Sequence, residues 1–174
     1  MDLTTLKDFV KSALGDVGQF KLERVFLSPE KLRFAGYVVP SLTWSSIPFG
    51  EAQINKVPNN KRGVYAFVLR EPNTFLPPHG YVLYIGIAGR KSKRSLRTRY
   101  RDYLNPAKVI KRDRIARMIG TWSEVLHFYF SPVDDTMSAA DLEKLEEQLN
   151  GALMPPCSEG DLDADTKRKR RAFS

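Results

Sequence analysis

The residues with the richest chemistry in this 174-residue chain are Arg99 and Glu146, a cation and an anion that the sequence sets on the inward sides of two different helices. On a helical wheel at about 100° per residue, SLRTRYRDYL carries Leu96, Arg99, Tyr100 and Tyr103 on one side and turns Arg97 and Arg101 away. A guanidinium at the margin of a buried face must meet an anion or a ring of acceptors, because an unpaired buried charge costs far more than a surface contact returns. In the last helix Leu142, Leu149 and Leu153 mark an apolar stripe, and Glu146 lies one turn after Leu142 inside it, while Glu143 and Glu147 point elsewhere. Such a carboxylate either closes an internal salt bridge, with a residue such as Arg99 as partner, or serves a site.

Other cations surround these two. Arg90, Lys91, Lys93 and Arg94 cluster in one loop, and Lys108, Lys111, Arg112 and Arg114 follow. The whole chain sets 28 Lys plus Arg against 20 Asp plus Glu, a formal charge of +8, and adds ten Phe and seven Tyr as flat apolar surface. A field of that kind attracts polyanions, although a solvated charge run is the commoner meaning of any single cluster. Cys157 is the only cysteine, so no intrachain disulfide forms, and with His79 and His127 alone beside it no structural zinc cluster assembles. An intracellular protein is expected. The amphipathic start MDLTTLKDFVKSAL lacks the cationic lead and apolar block of a signal peptide, and no apolar run approaches the ~20 residues of a membrane span.

The elements that must position these residues read as follows. Residues 1–14 form a helix, and 19–39 hold two β-rich stretches, FKLERVFL and LRFAGYVV, around the turn signals of SPEK. Residues 40–62 read as loop, so that 1–60 make an arm or small subdomain ahead of a regular unit. GVYAFVL and YVLYIGI are apolar on both faces and read as central strands, joined by a proline-rich protruding loop. Then come the helix opened by Ser95, a helical stretch near 107–121, the strand SEVLHFYF, and a last helix capped by Ser138 and ended by the prolines at 155 and 156. The charged residues 159–174 read as a weakly packed tail, in which Lys167 to Arg171 resembles an import signal or a DNA tether. Gly86 and Gly89 follow a strand but lack the spacing of a dinucleotide or P-loop turn.

Gly63-Val64-Tyr65 and Tyr84-Ile85-Gly86, each on an expected strand, resemble the two halves of the GIY-YIG nuclease signature. Arg99 and Glu146 stand where that family carries an arginine on the next helix and a glutamate on a later one, with Pro155 nine positions beyond the glutamate. Arg99 is in register once GRKSKR is taken as an insertion, and the match spans about residues 60–158. Ile87 stands where some members carry lysine, and Ser158 where the family often has asparagine.

The resemblance implies an α/β (α+β) fold with a small central three-stranded mixed sheet flanked by helices and an N-terminal helix/strand extension. The nuclease domain would cover 61–158. It implies a metal-dependent endonuclease in which Glu146 holds one Mg²⁺ or Mn²⁺, Arg99 lies across the scissile phosphate, Tyr65 takes the proton of the attacking water, Tyr84 orients that water, and Tyr103 supports them. A phenol has an ordinary pKa of about 10 and needs cationic surroundings for the role of base. Arg90, Lys91, Lys93, Arg94, Lys111 and Arg112 would bind nucleic acid, with double-stranded DNA expected and a cytoplasmic, DNA-associated location. One alternative is a catalytically silent nucleic-acid-binding module. Another is an interaction protein, or a homodimer, that uses residues 1–60 and the aromatic stretch around Tyr37, Trp44 and Phe49.

Overall fold

The computed structural model describes residues 3–14, 28–33, 40–70, 79–90 and 94–162, with a few single positions besides. Most of the expected β-rich stretches FKLERVFL and LRFAGYVV, most of the proline-rich loop, Lys91 and Lys93, and most of the tail lie outside the described residues, and Leu32, the first residue of LRFAGYVV, is helical.

The apolar run GVYAFVL forms β2 (Gly63–Leu69), buried from Gly63 through Val68. It pairs on one side with β3 (Tyr81–Ala88) and on the other with β4 (Leu126–Pro132), antiparallel in both cases. A short β1 (Ser45–Pro48) pairs with the far edge of β4, giving the order β1-β4-β2-β3. The sheet therefore has four antiparallel strands, and the expected three-stranded mixed sheet is corrected. The extra strand comes from 40–62, which read as loop because SSIP has two serines, a proline and one buried residue, Ile47. Pairing with β4 supplies what local propensity does not, and an edge position tolerates the proline. A 3₁₀ turn over Glu51–Lys56 follows. Among the two strands expected to be central, β2 is, whereas β3 is an edge strand.

Helices cover both faces. On one side Tyr65, Phe67, Leu83, Tyr84 and Phe128 pack against α3 (Leu96–Tyr103), α4 (Pro106–Val109) and α5 (Asp113–Trp122). Leu142 and Leu145 of α6 (Ala139–Leu153) pack on Val64, Ala66, Val68, Ile85 and Ile87 of the other side. At the N-terminal end, α1 (Thr4–Leu14) buries Leu6 and Val10 and lies on α5. The turn expected at SPEK is a single helical turn, α2 (Pro29–Leu32), capped by the Ser28 side chain.

Local signals explain most helix ends. The hydroxyls of Ser95 and Ser138 accept from the backbone N–H three residues on, at 3.2 and 3.1 Å. The stretch expected as one helix near 107–121 is two, because Asn105-Pro106 starts α4 with the Asn105 side chain accepting from Lys108 N–H. The chain then breaks, leaving Arg112 non-helical at the head of α5. Among the described residues no helix is long and apolar enough to cross a membrane.

Candidate active site

Strand register decides which side chains meet. Tyr65 sits opposite Gly86, and Phe67 opposite Tyr84, so the site-facing side of the β2-β3 pair carries Tyr65, Tyr84 and the bare backbone of Gly86. A Cβ on Gly86 would stand 2.4 Å from the Tyr65 hydroxyl oxygen, so the absent side chain is what lets the phenol lie across β3. α3 supplies the other wall. Leu96, Tyr100 and Tyr103 are fully buried and Arg99 is a quarter exposed, as the helical wheel predicts.

Four of the expected catalytic residues are in direct contact. The Tyr65 and Tyr103 hydroxyls are 2.7 Å apart, and Arg99 Nε donates to the Tyr65 oxygen at 3.0 Å. The Arg99 guanidinium also lies 5.4 Å from the Tyr103 ring centre. Tyr84 adjoins both tyrosines, its ring 6.2 Å from that of Tyr65 and 6.4 Å from that of Tyr103. Arg112, expected only as a nucleic-acid contact, joins them: it donates to the Tyr84 hydroxyl at 3.3 Å and stands 5.1 Å from the Tyr103 ring centre. Its placement follows from the break between α4 and α5, and the Asn-Pro cap signal before α4 was the legible hint.

These groups back a cleft of about 600 Å³ along the outer edge of β3, walled by Tyr84, Arg90, Arg94, Arg99, Arg112 and Arg114 with Glu146 across from them. Glu146 comes from the opposite face of the sheet, and the edge position of β3 lets α6 and α3 reach the same opening. The helical-phase argument holds here, since Glu146 is buried, Glu147 exposed and Glu143 only part-buried. Its partner is not Arg99. Arg90 donates to Glu146 Oε2 at 2.8 Å and forms an ion pair with Glu143 Oε1 at 3.1 Å. Arg94 lines the cleft and pairs with Asp102 at 3.2 Å, whereas Lys111 is exposed and is not among the described lining residues. Asp102, a hub for three cations, was missed; its i+3 spacing from Arg99 was the available signal.

Burial sets the titration of Tyr65. Burial holds the Tyr65 pKa well above that of an ordinary phenol, the Tyr103 and Tyr84 phenols add to this, and Arg99 pulls it down by less. The cationic neighbour expected to activate Tyr65 is present but outweighed, so Tyr65 is neutral at physiological pH and shut away from the cleft that Tyr84 lines. Burial works against the charge of Arg99, yet the Tyr65 and Tyr103 oxygens more than offset it and keep the guanidinium protonated. Arg112 behaves alike, with Tyr103 and Tyr84 outweighing its burial.

Two guanidiniums held beside the same phenols, Arg99 with Asp102 at 3.9 Å and Arg112 against Tyr84 and Tyr103, are arranged for an anion with several oxygens. As for a metal, the cleft offers Glu146 as a buried carboxylate, and no group of three His, Cys, Asp or Glu gathers among the described residues. That donor set fits a hard cation that keeps most of its waters and shares phosphate oxygens; it does not fit zinc. Comparison with protein-family models, curated proteins and solved structures gave no significant match. Phe49 of the expected interface is a core residue, edge-on to Phe67 and Tyr100 at 5.7 and 5.9 Å, while Trp44 is exposed.

Proposed function

We propose that this chain is a metal-dependent endonuclease of the GIY-YIG kind, hydrolysing phosphodiester bonds of nucleic acid, DNA above all. The observation that carries the reading is the convergence of Tyr84, Arg99, Arg112 and Glu146 on one arginine-walled cleft, backed by the Tyr65–Arg99–Tyr103 contacts. Hydrolysis adds water across one P–O bond and leaves a phosphomonoester and an alcohol. Arg99 and Arg112 hold two oxygens of the scissile phosphate and neutralise the charge that grows on them, where preorganised cations act most strongly. Tyr65 and Tyr103 fix the Arg99 guanidinium from behind, and Tyr84, the phenol on the cleft wall, orients the attacking water. Glu146 would hold one Mg²⁺ or Mn²⁺, which when bound would supply Lewis-acid charge for the phosphate.

Arg90 favours a second reading. Its guanidinium already neutralises Glu146, as in a nucleic-acid-binding module without turnover. The two readings separate in one experiment, single-turnover cleavage of supercoiled plasmid with and without Mg²⁺, alongside Mn²⁺ binding followed by electron paramagnetic resonance. The nuclease reading expects cutting by the wild type, a loss of about 10²–10³ in rate for Arg99→Ala, and no cutting by Glu146→Ala with DNA affinity largely kept. It further expects Arg90→Ala to bind Mn²⁺ more tightly than the wild type. Cutting by Glu146→Ala at the wild-type rate would sink the metal assignment. Tight DNA binding with no cleavage in any divalent ion would establish the silent module.

A further inference from the structure

Beside the cleft lies a smaller hollow of about 180 Å³, lined by Arg94, Arg99, Asp102, Lys108, Val109 and Arg112. A water takes up about 30 Å³ of liquid, so a phosphate group fits with solvent around it. Its walls bring four cationic side chains together against one carboxylate, an excess of three positive charges. Asp102, little exposed, accepts Lys108 Nζ on Oδ1 at 2.6 Å and Arg94 on Oδ2 at 3.2 Å, with Arg99 at 3.9 Å from the same Oδ2. One carboxylate neutralises one of these charges. It collects the cations without cancelling them, which is how a site for a second anion is built and kept from flying apart when empty of it.

Three of the walls, Arg94, Arg99 and Arg112, also line the larger cleft. An anion in the hollow and one in the cleft would therefore share these guanidiniums, as neighbouring phosphates of one polynucleotide strand can do. More than half of the Arg94 and Lys108 side chains is exposed, so both can leave Asp102 and turn toward a ligand.

We infer that this hollow is a second phosphate subsite, holding the phosphate next to the scissile one on the same strand. The substrate is then a polynucleotide with at least two consecutive phosphates, and an isolated phosphodiester is a poor ligand. The inference rests on the proposed function for which phosphate is cut, but not for whether the second is bound.

The test compares thymidine dinucleotides that differ by one phosphate: TpT, pTpT and TpTp. Binding is followed by calorimetry and by NMR shifts on the full chain. The wild type should prefer one of the two longer ligands over TpT by about tenfold or more, the worth of a charge-assisted contact. Arg94→Gln/Lys108→Gln should erase that preference, so that all three ligands bind this variant alike. Lys7→Gln/Lys144→Gln, which removes the same charge from outside both hollows, should leave the preference intact. No preference in the wild type, an unchanged preference in the first variant, an equal loss in the second, or no measurable binding of any of the three overturns the subsite. Nuclease activity without the preference rejects the subsite alone; the preference without nuclease activity rejects only the nuclease reading.

Discussion

Two tyrosines on α3 and β2 show how burial sets a side chain's chemistry. Tyr65 has no exposed atom and shares its hydroxyl with Arg99 and Tyr103; Tyr100 is buried too, but its hydroxyl donates to Gly50 O at 2.7 Å and accepts from Gly50 N–H at 2.8 Å. Burial pushes the Tyr100 pKa up to about 12 against the opposing effect of the Gly50 amide, and holds that of Tyr65 well above the ordinary value. A raised folded-state pKa means that the folded form keeps its proton where the unfolded chain has lost it. The stability these phenols lend is complete below the unfolded pKa of about 10 and drains away as pH rises above it. Unfolding free energy should therefore fall by on the order of 2–3 kcal/mol per such phenol by about pH 12. Absorbance titration at 295 nm should show a fraction of the seven tyrosines ionising only together with unfolding. Tyr65→Phe should blunt the alkaline loss, and smooth ionisation of all tyrosines in the folded state would contradict the burial described here.

At the scale of elements, β3 has an edge facing the 3₁₀ turn at Pro156–Asp161, and Ser158 closes it. Its hydroxyl accepts from Ile85 N–H at 3.0 Å and donates to Ile85 O at 3.4 Å, both buried. One side chain thus satisfies two outward backbone groups that an edge strand otherwise leaves open. Ser158→Ala should cost about 1–3 kcal/mol in urea unfolding, because both backbone groups stay buried and lose their partner. Exchange of the Ile85 amide should quicken by more than that of its strand neighbours. A variant as stable as the wild type, with Ile85 still protected, would mean that another group closes the edge. The bonds of the Ser158 hydroxyl are thus to the backbone of β3.

For the whole molecule, the helix layer that carries Arg99 and Arg112 is held from outside by α1. Gly120 of α5 is where they touch, and a Cβ there would stand 2.4 Å from Val10 Cγ2 and 2.5 Å from Leu6 O. Gly120→Val should push α1 away at a cost of about 1–3 kcal/mol, roughly 2–12 °C in Tm at this length. An unchanged Tm would show that α1 does not dock there. The sequence by itself determined the helices with serine caps, the two apolar strands and the inward phases of Arg99 and Glu146, because caps, periodicity and burial act within a few residues. It did not determine β1, whose SSIP has no strand pattern and borrows its bonds from β4. Nor did it reveal that Arg90 rather than Arg99 pairs with Glu146, that Arg112 joins the tyrosines, or that Asp102 gathers Arg94 and Lys108. Those pairings depend on distances between α3, α5, α6 and the loop after β3, and only the packing of both helix layers around the edge of β3 sets such distances. The same packing encloses the Tyr65 hydroxyl completely, since its neighbours come from β3, β4 and α3 as well as from its own strand.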